Sequence, residues 1–424
     1  MKRTLLLLAL SGIAPLAAGA EIRLWHGLAG VHGEAIEALA ARFNASQPAV
    51  RVVPIYKGSH AVYAALAERR KGLAPHLVQA DEARTADLAA RPRDVRPLWE
   101  VLAEARQLID ARYVPALAAP YSDAQGRLLA LPLSAATPVL YYNRDAFRRA
   151  RLDSEPALRT WYEMANTLGA LIDAGESCGY ATAWPAWVLV ENMSAWHNQP
   201  FVRQDDGQAR LAFNGQLMVR WVSMLASWRK SGYFTYLGRA DEAEQRFAAG
   251  ECMVLTSSSA SYAELRERAR FEVGVAPLPY FDDFDAAPQN TLVRGSALWV
   301  LAGRGGAAET AGVARFVDFL SRADVQAEWH QRTGNVPLTR IAYELTRAQG
   351  FYRKQPGYEV AVRQVVIRNP TPESGDSRLG ALPRIRVIAN EELESVWSGG
   401  KTPLEALNAA VERGNDLLRA GGTR

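Results

Sequence analysis

Three clusters of side chains in this chain have the chemistry to hold a small hydroxylated anion. Trp184 and Trp187 stand three apart with Trp196 close by, so the stretch 161 to 196 carries four of the eleven tryptophans. Indole faces stack on the C–H surfaces of polyols, and core packing is the competing role for each ring. Thr256-Ser257-Ser258-Ser259 ends the apolar run Met253-Val-Leu255 and precedes a helix expected from about Ser261. Hydroxyls and free N–H groups at a helix start attract anions, with ordinary N-capping as the plainer role. Arg384-Ile-Arg386 follows Pro383 and offers guanidinium groups, whose planar fork grips phosphate with two bonds.

Catalytic signatures fail in turn. The chain has no H-E-x-x-H pair and no EF-hand loop. Gly399-Gly-Lys-Thr402 looks like the end of a phosphate loop, but Ser395 stands where the first Gly belongs. Thr402, Pro403 and Glu405 instead mark a helix start with a capping box. Gly303-Arg-Gly-Gly-Ala-Ala308 fits the loose G-x-G-x-x-A pattern, which a strand-to-helix turn explains as well. The six histidines lack metal-ligand spacing, and Glu391, Glu392 and Glu394 read as a solvated helix face rather than a carboxylate pair. These readings favour a binding protein over an enzyme, with no cofactor and no metal.

The elements that must position these groups alternate between strand and helix. Ile22-Arg-Leu24 is a short strand, Ile36, Leu39, Ala40 and Phe43 recur at helical spacing, and Val50 to Tyr56 is a β-branched strand. Pro54 puts that strand at an edge or a bulge. Strand, helix, strand over so short a span is a βαβ unit with a parallel sheet. Leu77-Val-Gln79, Val139 to Tyr142, Gly274-Val-Ala276 and Ala297 to Leu301 continue the pattern, the last before a helix over Ala311 to Leu320. The fold class is α/β.

Lys2 and Arg3, the apolar run Leu5 to Leu10 and Ala18-Gly19-Ala20 form a signal peptide cleaved after Ala20, which sends the chain to a periplasm. The 49 Lys and Arg against 45 Asp and Glu leave +4, and removal of the leader leaves 47 against 45. So even a balance argues against a nucleic-acid partner, which calls for a one-sided basic excess. Cys178 and Cys252 are the only cysteines. In an oxidising compartment they are either a disulfide or two separate buried thiols.

Several motifs together resemble the periplasmic glycerol-phosphate-binding proteins of ABC importers, within the maltose-binding class of extracellular solute-binding proteins. These motifs are Trp25-His-Gly27, Tyr56-Lys-Gly58, Thr137-Pro-Val-Leu-Tyr-Tyr-Asn143, Trp329-His-Gln-Arg-Thr-Gly334 and the run from Arg386 to Trp397. Phe247-Ala-Ala-Gly-Glu-Cys-Met253 is similar to the broader class. The resemblance implies a type II periplasmic-binding fold, with a ligand cleft between two discontinuous α/β lobes. Residues 21–133 plus about 278–335 would form the N-terminal lobe, and 137–276 plus about 336–424 the C-terminal one. The crossings are expected near Pro132 to Thr137 and Ala276 to Pro279.

The ligand implied is sn-glycerol 3-phosphate or a glycerophosphodiester such as glycerophosphocholine. The partners implied are a permease heterodimer with a cytoplasmic ATPase dimer, the binding protein itself being a monomer. Carried over by position, Glu82 would accept glycerol hydroxyls, Ser258 would donate a hydroxyl, Gly295 would allow a close backbone approach, and Arg386 would meet the phosphate. Trp184 and Trp187 would form the aromatic platform. His60, Ala136 and Asn335 stand where the family has Tyr, Ser and Tyr, with Ser134 or Asn335 as substitute donors. Arg386→Ala is then expected to weaken phosphate ligands while leaving the fold intact. A sugar-binding importer subunit of the same fold is the nearer alternative, and a secreted glycerophosphodiester hydrolase the more distant one.

Overall fold

The computed structural model describes residues 19–421 except 70, 110–111, 154–157, 206, 285–286, 304, 370 and 374–378. Residues 1–18 of the expected leader lie outside the described residues. No helix among the described residues is long and apolar enough to cross a membrane.

The opening βαβ unit forms as the periodicity requires. β1 (Ala20–His26) leads to a helix over Gly30–Ser46, and β2 (Val50–Tyr56) returns parallel to β1 with Leu24 opposite Pro54. The helix buries Ile36, Leu39, Ala40 and Phe43, the spacing that shares one face. β2 lies at the sheet edge, where the missing N–H of Pro54 breaks no ladder.

β3 (Leu77–Asp81), β4 (Val95–Arg96) and β5 (Leu131–Ala136) extend this sheet. The chain then leaves it for β6 (Pro138–Asn143), β7 (Tyr180–Thr182), the hairpin β8 (Val202–Asp205) and β9 (Gln208–Leu211), β10 (Phe234–Thr235), β11 (Val254–Ser258) and β12 (Val273–Ala276). β13 (Arg294–Leu301) comes back. The first sheet runs β2-β1-β3-β13-β4 with β5 also on β13, and the second runs β10-β7-β11-β6-β12.

Purely parallel sheets, as the alternation suggests, are not what forms. β13 is antiparallel to β3, β4 and β5, and β6 is antiparallel to β11 and β12. A strand that enters from the other sheet arrives without a crossover helix of its own, so it runs against its neighbours.

Each sheet has its own core. Ile22, Leu24, Leu298, Phe316 and Trp329 pack around the first, and Tyr142, Trp161, Trp187, Trp221 and Phe234 around the second. A further cluster joins Val139, Phe247 and Leu255 to Val336 and Leu338. Cys178 and Cys252 form a disulfide with S–S 2.13 Å beside the β7–β11 pair.

The sheets are joined at few points. β5 becomes β6 at Thr137, which is fully buried; its carbonyl accepts the Ser259 N–H at 2.8 Å and its N–H donates to Ser259 Oγ at 3.3 Å. The return runs from Ala276 to Arg294. The third passage follows the helix Ala323–Thr333, which ends on Gly334 in the left-handed region (φ 76°). A Cβ on Gly334 would lie 2.8 Å from the Ser259 carbonyl oxygen, so this turn needs glycine on both conformational and steric grounds.

Candidate functional site

A cleft of about 330 Å³ opens where the two sheets face each other, within the range of small-molecule sites. The first sheet and its loops contribute Gly27, His32, Gln79, Asp81, Ser134, Ala136 and the Arg294-Gly295-Ser296 start of β13. The second contributes Trp184, Asp241, Glu244, Ser258, Ser261 and Glu264, with Asn335 from the third passage.

Trp184 is set by its backbone. It sits at φ 53°, a left-handed conformation that costs a bulky residue energy and recurs at functional positions. The π-helical turn Ala186–Glu191 follows, anchored by Ala186 N–H donating to Asn390 Oδ1 at 3.0 Å. The indole Nε1–H donates to Glu244 at 3.3 Å, and the Arg294 guanidinium lies 4.1 Å from the ring centre. Trp187 is buried in the second core instead, 5.8 Å from Arg294 and away from the cleft lining. Of the two expected platform rings, Trp184 lines the cleft and Trp187 packs directly behind it in the second core.

Two hydroxyls at this helix start, those of Ser257 and Ser261, are bonded to a side chain of the protein itself, Glu244. Ser257 and Ser261 donate to Glu244, the latter at 2.8 Å, and Ser259 Oγ accepts the Thr137 N–H. Ser258 lines the cleft, with its Oγ accepting the Ala260 N–H at 3.2 Å and its own hydrogen free to donate onward. Burial pushes the Glu244 carboxyl above its ordinary range, and the bonds from Ser257, Ser261 and Trp184 oppose that rise.

Arg386 is not an open guanidinium. Nε and Nη2 donate to the two oxygens of Glu191 at 2.7 and 2.9 Å, and Nη1 donates to Glu82 Oε1 at 2.9 Å. The side chains are 17%, 6% and 11% exposed for Arg386, Glu191 and Glu82. Burial works against the charge, but the Glu191 and Glu82 carboxylates outweigh it and hold the guanidinium firmly protonated. Glu82 spends its other oxygen on the Gly295 N–H at 3.1 Å. Glu82, Gly295 and Arg386 thus form a strut from the end of β3 to the helix Leu382–Trp397, and neither Glu82 nor Arg386 lines the cleft.

Gly295 owes its identity to packing. A Cβ there would fall 2.1 Å from the Ser134 carbonyl oxygen, in the β5–β13 pair that bulges between Ser296 and Ala297. Ser134 and Ser296 share a hydroxyl bond of 2.7 Å on this wall. Ala136 lines the cleft as a bare methyl. Asn335 lines it too, with Nδ2 donating to Thr333 Oγ1 at 2.9 Å. His60 is exposed in the short helical turn Gly58–His60 that follows the outer edge strand β2, and it lies outside the lining.

Sequence reasoning missed Asp81, His32, Arg294 and the acidic residues Asp241, Glu244 and Glu264. Burial, then the neighbouring Glu82 charge, raises the Asp81 carboxyl, against Arg294, Arg84 and the Gln79 bond. Burial lowers His32 against the pull of Glu264. The one available signal was Arg294, a cation at the start of an otherwise apolar strand run.

A family model described as bacterial extracellular solute-binding protein matches residues 38–356. The chain is 44% identical over 422 residues to the sn-glycerol-3-phosphate-binding periplasmic protein UgpB of Escherichia coli strain 536, covering 98% of this chain and 96% of that one. It is likewise 44% identical to UgpB of strain K12, over 94% and 92% of the two chains. The fold matches UgpB from Mycobacterium tuberculosis in complex with glycerophosphocholine (TM-score 0.77, 21% identity, 96% and 100% covered). It also matches the cyclic alpha-maltosyl-1,6-maltose binding protein from Arthrobacter globiformis (TM-score 0.75, 20% identity, 95% and 100% covered). The two-lobed α/β fold and near full-length identity together place this chain in the bacterial extracellular solute-binding family, on the branch of the sn-glycerol-3-phosphate-binding proteins.

Proposed function

We propose that this chain is the exported solute-binding subunit of an ABC importer and captures a phosphorylated glycerol compound. The leader is removed after Ala20, the mature protein works as a periplasmic monomer, and a permease heterodimer driven by an ATPase dimer receives the ligand. Residues 21–133 with about 278–335, and 137–276 with about 336–424, act as its two lobes. The observation that carries this reading is the cleft itself: walls from both sheets, a Trp184 face, the Ser258 hydroxyl and an Arg294 cation, in a chain 44% identical to a named glycerol-phosphate binder over nearly its whole length. Ligand contacts to both walls stabilise the closed form, and that form is the signal to the permease.

Within that reading Trp184, Ser258 and Gly295 touch the ligand from the cleft wall, and Glu82 and Arg386, which are paired with each other beside Gly295, reach it from behind that wall. A phosphodiester with a cationic head suits the cleft better than a phosphomonoester dianion. Asp241, Glu244 and Glu264 line the second wall and would repel a second negative charge, but they attract a quaternary ammonium. Calorimetric titration with sn-glycerol 3-phosphate, glycerophosphocholine and maltose checks both points. Binding is expected for the phosphate compounds and tightest for the phosphocholine diester. Tighter binding of maltose would replace this reading with a sugar-importer one.

A further inference from the structure

β12 is the last strand of the second sheet, and among the described residues it pairs with β6 alone. On that pair the Arg144 N–H donates to the Glu272 carbonyl at 3.0 Å, while Val273 stands opposite Asn143 and Val275 opposite Tyr141. Bonded and non-bonded pairs alternate in an antiparallel ladder, so the N–H and C=O groups of Val273 and Val275 point away from β6. The Asn143 N–H agrees with this phase, because it turns the other way and donates to the Met253 carbonyl at 2.9 Å. Among the described residues those four groups have no hydrogen-bond partner, and an edge of this kind is a template for a further strand.

The edge lines a cavity of about 430 Å³ that shares no lining residue with the ligand cleft. Phe271, Val273, Val275 and Val360 give this cavity half-buried apolar surface. Its free charge is positive. Glu272 is already occupied, since Arg144 and Arg148 donate to its two oxygens at 2.6 and 3.2 Å. Arg266 and Lys354 also line the cavity, are exposed, and form no ion pair among the described residues. Open backbone groups, apolar side chains and uncompensated cations together suit an extended peptide that carries carboxylates. A second copy of this edge would instead set Arg266 and Lys354 against their own counterparts, and like charge disfavours that pairing. We propose that β12 is a docking site for an extended acidic segment of a partner protein, which adds to the second sheet as an edge strand while its carboxylates meet Arg266 and Lys354.

The test measures fluorescence anisotropy of labelled hexapeptides with the whole mature protein. One peptide alternates valine with glutamate, one alternates valine with lysine, and a third is the valine–glutamate peptide with every backbone nitrogen methylated. The first is expected to bind with a Kd of about 100 μM or tighter, and the other two about tenfold or more weakly. Val275→Pro removes an outward N–H without breaking the β6 ladder, because an edge strand tolerates Pro where its nitrogen faces outward. It should weaken the valine–glutamate peptide about tenfold, as should Arg266→Glu combined with Lys354→Glu. Melting temperatures of these variants should stay within about 3 °C of wild type. The methylated peptide is measured on wild-type protein, so the outcome does not depend on how a variant folds. Binding of the methylated peptide within about twofold of its parent would show that charge alone attracts it, and strand addition is then overturned. Equal binding of the glutamate and lysine peptides, or no binding of the glutamate peptide up to about 1 mM, overturns the docking site itself.

Discussion

Two arginines close to the same cleft are partnered in opposite ways. Arg386 is enclosed by Glu82 and Glu191 and links the end of β3 to the helix Leu382–Trp397, with each partner charge compensated in place. Arg294 lies over the Trp184 ring and lines the cleft, with no ion pair among the described residues. The difference shows that a guanidinium's residue type does not decide its role. What the fold decides is how many donors are already spent: three of those on Arg386 are bonded to carboxylates, whereas Arg294 has a ring face beside it.

The strongest way to break this contrast is Arg386→Ala. It strands two neighbouring carboxylates in a mostly buried place, and removing one partner of a buried pair costs about 3–5 kcal/mol. Urea unfolding should show that loss, in contrast to the intact fold expected from the sequence. A variant as stable as wild type would demote the strut to an ornament.

The next largest effect concerns polar groups that, like Arg386, are fully spent. His197 donates from Nδ1 to the Met193 carbonyl and accepts the Phe281 N–H on Nε2 at 2.8 Å. His330 is held between the Asn335 carbonyl and the Tyr352 hydroxyl. Burial lowers each from 6.5 to about 4. A depressed folded value means the folded state binds fewer protons than the unfolded one between those limits. Their stability contribution is therefore complete above pH 6.5 and is lost as pH falls towards 4. The loss should be on the order of 3 kcal/mol for each, visible as a falling melting temperature. Melts that stay level across this window would show that the rings are not held neutral.

On the recognising side the effects are smaller and appear in affinity. Trp184→Phe keeps a ring under Arg294 and loses the bond to Glu244. A loss of about two- to fivefold in ligand affinity is expected from calorimetry, in line with a weakened cation–π contact. Unchanged affinity would show that the Trp184 ring does not face the ligand.

Local periodicity was enough to read the opening βαβ unit, the helix face of Ile36, Leu39, Ala40 and Phe43, the edge position of Pro54 and the Thr402–Glu405 cap. In that cap the Glu405 carboxylate accepts the Thr402 N–H at 2.9 Å. Each of these depends on neighbours a few residues apart. The site was only partly legible. Ser258, Trp184, Gly295, Ala136 and Asn335 do line the cleft, whereas His60 and Trp187 do not, and Arg386 and Glu82 are turned towards each other.

The sequence by itself determined the fold class, the alternation of elements and the set of aromatic, hydroxyl and cationic groups available for recognition, because these follow from spacing and side-chain chemistry. Only the tertiary structure decided which of those groups remained free. Glu82 and Arg386 are separated by 304 positions, Ser134 and Ser296 by 162, and Thr137 and Ser259 by 122. Donors and acceptors that far apart are matched by how two sheets close on each other, and a side chain's availability to a ligand is what that matching leaves over.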